Sequence, residues 1–169
     1  MGPLSKYGVV LAPSSAVKSL AMGWLNAWSY DYSSPAHVAA EASLNLRNAC
    51  DDVLGKYLTE LRGKLHLLRS QLPEPTRENP FPPADGLAAV KEMDAYVHQV
   101  EALRVKVQSL PIPPRDWVME SQSAHTLNLQ DLETVDRQIL SALAEVDETS
   151  LRFVEDLILR REHLLTSSH

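Results

Sequence analysis

The stretch "LGKYLTELRGKLHLLRSQL", Leu54 to Leu72, decides the fold class. Leu54, Leu58, Leu61, Leu65, Leu68 and Leu72 alternate four- and three-residue steps, the spacing that puts an apolar seam along one side of an α-helix. Leu44 and Ala40 extend the seam backward less cleanly, and Gly55 and Gly63 lie inside it. Each glycine weakens a helix by about 1 kcal/mol relative to alanine, so the two mark either close helix approach or a bend.

The rest of the chain reads the same way. After "APSSAV", where Ser14 or Ser15 can cap the opening amides, Val17, Leu20, Ala21, Trp24, Leu25 and Trp28 recur at helical steps. Ser34 and Pro35 form an N-cap and first-turn proline for the leucine helix, which runs to Leu72. Five prolines between Leu72 and Gly86 end it. Asp85 is placed to cap a third helix carrying Val90, Met93, Val97, Val100, Leu103, Val107 and Leu110. A fourth helix follows from about Asn128, with Leu132, Val135, Ile139, Leu143, Val146, Phe153, Val154, Leu157, Leu164 and Leu165 on one side. Asp131, Glu133 and Asp136 crowd its start and Arg160, Arg161 and His163 its end, which complements a helix dipole.

These signals predict an all-α, elongated bundle of about four helices, with coiled-coil-like packing of two long ones. An extended N-terminal segment, 1–13, precedes a single helical domain, 14–169. Its helices are expected at about 14–29, 34–72, 85–110 and 128–167, with proline-rich linkers at 72–85 and 111–127. The second and fourth helices would be roughly 55–60 Å long at 1.5 Å per residue. A compact globule of this size is only about 40 Å across.

The bulk properties narrow the function. With 169 residues and 44% apolar composition, the chain is long enough for one real core. A net charge of −6 argues against direct binding to nucleic acid or anionic membranes. No run approaches the length of a membrane span, and one cysteine, with no signal-like start, points to an intracellular, cytoplasmic or nuclear setting.

Chemistry is sparse. The histidines show no metal-ligand spacing, nucleotide and hydrolase motifs are missing, and no cofactor is expected. Cys50, beside Asp51 and Asp52, reads as a small core residue, since neighbouring carboxylates disfavour its thiolate. Asp51 and Asp52 read as solvated face, and Asp94 with His98 as a surface pair. "PIPPRDW", Pro111 to Trp117, holds a PxxP without a well-placed basic residue; it reads as a stiff spacer with Trp117 plugging the bundle end, against a docking motif.

The expected function is that of a non-catalytic scaffold or adaptor subunit in a hetero-oligomeric complex. A third helix shorter than its neighbours would leave part of the leucine seam open to a protein partner. The expected partner-binding residues are Leu54, Leu58, Leu61, Leu65, Leu68, Val97, Val100, Ile139, Val146, Leu157 and Trp117. The basic flank Arg62, Lys64 and Arg69 is expected beside the acidic fourth helix. Cytoskeletal, spindle and chromosome-linked complexes use such subunits, an analogy from architecture that does not choose among them. The alternative is a closed four-helix module, with the first helix folded back over the gap, that captures a peptide.

Overall fold

A computed structural model describes residues 2–30, 35–112 and 122–166. The described residues form six α-helices and no strand: α1 (Pro3–Lys6), α2 (Ser15–Ala27), α3 (Pro35–Gln71), α4 (Ala84–Gln108), α5 (Gln122–Ala144) and α6 (Leu151–Thr166).

The 37-residue α3 is about 55 Å long, longer than a compact globule of this size is wide. It pairs antiparallel with α4. Arg104 bonds Asp51 at 2.7 Å, Arg62 bonds Glu101 at 2.6 Å and Arg69 lies 3.6 Å from Asp94. Beyond the end of α4, Arg47 reaches the Leu110 carbonyl. Arg62 and Arg69 of the basic flank therefore face acids of α4, and not the acidic fourth helix that the sequence suggested, while Lys64 turns to the N-terminal segment. Two glycines make room for side chains at this contact. A Cβ on Gly55 would sit 3.2 Å from the Arg104 guanidinium, and one on Gly86 would strike Leu72 at 2.3 Å. Gly63 has open space around it, so it is neither needed for approach nor the site of a break in α3.

The expected fourth helix is two helices. It starts earlier than Asn128, at Gln122, and stops at Ala144; α6 then runs back along α5. The turn is built by "DETS". The Asp147 carboxylate accepts the amides of Thr149 and Ser150 at 2.9 Å each and the Thr149 hydroxyl at 2.7 Å. In return the Asp147 amide donates to Ser150 Oγ at 2.7 Å. The polar side chains thus satisfy backbone groups that a continuing helix would have used.

The N-terminal segment is not simply extended. Its first turn is α1, packed on α4, and residues 9–14 cross α3. There Lys64 Nζ donates to the Val10 carbonyl at 2.5 Å and the Tyr57 hydroxyl to the Leu11 carbonyl at 2.5 Å. Ser14 caps α2 through the Val17 amide and hydrogen-bonds Glu60. Tyr57, Glu60 and Lys64 lie three and four residues apart, on one stripe of α3. Asp85 does not cap α4; it lies in the first turn and pairs with Lys6 at 3.1 Å, exposed.

Packed together, α2 lies between α3 and α5, while α6 covers α5 and touches α4. The buried apolar side chains form one connected core.

Hydrogen bonding holds the Asp147 carboxyl below the usual carboxylate range, chiefly through the Thr149 side chain and the Ser150 amide. Asp147→Ala removes this capping and is expected to cost about 1 kcal/mol at neutral pH in urea unfolding. A depressed folded pKa contributes stability above the unfolded value and loses it as pH falls through the folded one. The difference between D147A and the parent chain therefore disappears in acid.

Candidate functional site

The residues expected to bind a partner are brought together, but inside the molecule. Leu54, Leu58, Leu61, Leu65 and Leu68 are buried under α4 and the N-terminal segment, and Val97, Val100, Ile139, Val146 and Leu157 are buried as well. Trp117, with most of "PIPPRDW", lies outside the described residues. The seam is not open: α4 and the N-terminal segment, whose residues 9–14 cross α3, close it. Each leucine contributes roughly 1.5–3 kcal/mol by burial to the chain's own fold.

What the surface offers instead is a trough over α5. One hollow, about 550 Å³, is lined by Leu25 and Asn26 of α2 and by Thr134, Arg137, Gln138 and Ser141 of α5. A second, about 300 Å³, shares Gln138 and Ser141 and continues over Ala142 and Glu145 to Ser150 and Phe153. Thr134, Gln138, Ser141 and Glu145 form one outward helical stripe, so the floor is α5 and the walls are α2 and α6. Its span, Thr134 to Glu145, is about 17 Å, or three helical turns. Phe153 is half exposed at one end. Arg137 stiffens the other end by donating to the Trp28 carbonyl at 2.6 Å and pairing with Glu133 at 3.4 Å.

Beneath the trough lies a buried polar cluster absent from the sequence-based expectations. Arg161 Nε donates to Asp136 Oδ1 at 2.6 Å, and both side chains are fully buried. The Tyr30 hydroxyl donates to the other Asp136 oxygen at 2.5 Å. Arg161 Nη2 donates to Ser43 Oγ at 2.9 Å, and Ser43 donates to the Ala39 carbonyl at 2.8 Å. Segments from four parts of the chain thus meet at one ion pair. Arg161 Nη1 finds no partner among the described residues. Burial pushes the Asp136 carboxyl upward, against the pull of the Arg161 guanidinium and the Tyr30 hydroxyl. Burial, then the Asp136 charge, raises Tyr30 well above the ordinary phenol range.

The same two causes raise the Cys50 thiol, which is fully buried on α3. A thiol so placed is not a nucleophile at neutral pH. On the far half of α3, Tyr96 donates to Tyr57 at 2.8 Å, with the rings edge to face, and Tyr57 passes its proton toward Leu11. Burial raises Tyr57 strongly and Tyr96 to about 12, so both stay neutral and serve as struts.

Surface polar residues act as ties. Asp51 and Asp52 are not idle: Asp51 takes Arg104 and Gln108, and Asp52 accepts the Trp24 indole N–H at 3.1 Å. His98 lies 3.5 Å from Asp94 on the α4 surface, as expected. Among the described residues no group of three or more His, Cys, Asp or Glu is arranged to hold a metal ion, and no helix is long and apolar enough to cross a membrane. Comparison with family models, with curated proteins and with solved structures finds no match.

Two outcomes test this geometry. Asp136→Leu and Arg161→Met each strand a buried charge and are expected to cost about 3–5 kcal/mol in urea unfolding, while the double variant lies closer to the parent than either single one. Cys50 is expected to react with a thiol-disulfide reagent only at the rate of unfolding, and immediately in denaturant.

Proposed function

We propose that this chain is a non-catalytic adaptor, a small subunit of an intracellular multi-protein assembly, that receives an amphipathic helix of a partner in the trough over α5. The observation that carries this reading is the continuous open stripe of α5 between the walls of α2 and α6. With the leucine seam consumed by the chain's own core, contact moves from the seam to this outer face.

The trough suits a helix in three ways. Its length matches about three turns, enough for apolar anchors at i, i+4 and i+7. Its floor is small at Ser141 and Ala142, which lets a helix approach closely, and Leu25 and Phe153 give apolar contacts at the two ends. Its charges also give a direction. Glu145 at one end favours the partner helix's positive N-terminus and Arg137 at the other its C-terminus, so the partner runs antiparallel to α5.

A photoreactive residue at position 141 tests the reading, with position 102 on the exposed side of α4 as control. The expected result is one partner chain joined at 141 and not at 102, through a segment with helical apolar spacing, and lost when Phe153→Asp is added. Equal labelling at both positions, or attachment to segments without that spacing, would overturn it.

A further inference from the structure

A third hollow, on the other side of α2 from the trough, carries a different chemistry. It lies where α2 ends against the start of α3, has a volume of about 160 Å³, and has Trp24, Trp28 and Tyr30 among its lining residues together with Val38, Glu41 and Asn45. Among its described lining residues Glu41 is the one acid, exposed at the rim, and there is no lysine, arginine or histidine.

The rings are held in place before any ligand arrives. Trp24 is tied through its indole N–H to Asp52 at 3.1 Å, and Tyr30 through its hydroxyl to buried Asp136 at 2.5 Å. Trp28 is 6% exposed, so packing confines its side chain, while Arg137 fixes its backbone carbonyl at 2.6 Å and its indole N–H has no hydrogen-bond partner among the described residues. Such pre-ordering removes much of the entropy that a mobile aromatic cluster would lose on binding.

Aromatic faces are electron-rich and attract a cation lying within about 6 Å of the ring centroid. The rim carboxylate adds a full negative charge, so the hollow disfavours anions. A plain ammonium is strongly hydrated and loses that water on entering. A methylated ammonium carries its charge under an apolar shell and meets the ring faces at little such cost.

We propose that this hollow is a binding site for a quaternary or methylated ammonium group, with Trp24, Trp28 and Tyr30 as its walls and Glu41 as its counter-charge. The proposal stands on a different face from the helix trough and does not depend on it.

The test follows the indole N–H resonances of the intact chain by NMR. They are titrated with tetramethylammonium chloride, with a trimethyl-lysine peptide and with the same peptide unmethylated, using potassium chloride to match ionic strength. The expected result is saturable movement of the Trp24 and Trp28 signals with the methylated cations, at least tenfold weaker with unmethylated lysine. Glu41→Gln is expected to weaken binding several-fold and Trp24→Leu to abolish it, each with a melting curve showing the fold retained. Tighter binding of the peptide than of tetramethylammonium assigns a protein-borne group, and the reverse a free small cation; either supports the site. No saturable shift, or an equal response to unmethylated lysine, overturns it.

Discussion

A helix of 37 residues whose buried apolar stripe runs from Val38 to Leu68 has to be covered along that stripe, and that requirement organises the molecule. None of the other described helices is that long. The second half of α3 is closed by α4 and the N-terminal segment, and its first half by α2 and the α5–α6 hairpin. Each half carries a polar fastening: Tyr96 to Tyr57 to Leu11 on one, Arg161 to Asp136, Tyr30 and Ser43 on the other. Buried ion pairs add little net stability against apolar packing of the same shape. A register of α6 on α5 that separated Asp136 from Arg161 would strand two buried charges, so the pair penalises such a shift.

Much of the fold was legible in the sequence. The periodic leucines, the proline at the start of α3 and the proline runs after it placed α2, α3 and α4 within a few residues, because local signals decide those boundaries. The division of the last helix was missed because the apolar spacing continues across it and no glycine or proline marks the stop. The signal present was Asp147 with Thr149 and Ser150, side chains that bind turn amides and start helices. With the turn unseen, Asp136 and Arg161 read as dipole-complementing charges at opposite ends of one rod. Both stand at core positions, four residues after Leu132 and Leu157 respectively. Folding the chain back around residues 147–150 superposes those positions, and two charges at core register are an ion pair once the elements carrying them meet.

The same fold-back decides where interaction takes place. A rod-like fourth helix would have left α3 in search of another chain; a hairpin fills that space and turns α5 outward. Leu25 and Asn26 of α2 then border the helix trough, while Trp24 and Trp28 border the aromatic hollow. This short helix, capped by Ser14 and anchored by Asp52, is thus the partition between two surfaces of different character: one long, shallow and mixed in charge, the other small, aromatic and acidic.

The central claim is that the chain covers its own leucine seam, and hydrogen exchange on the chain alone tests it most directly. If the bundle is closed, the amides of residues 54–68 exchange only through global unfolding and share one protection free energy with residues 135–143 of α5. If the seam waits for a partner, residues 54–68 lose protection at far lower cost than α5, and protection rises when the partner is added. The second result would contradict the account.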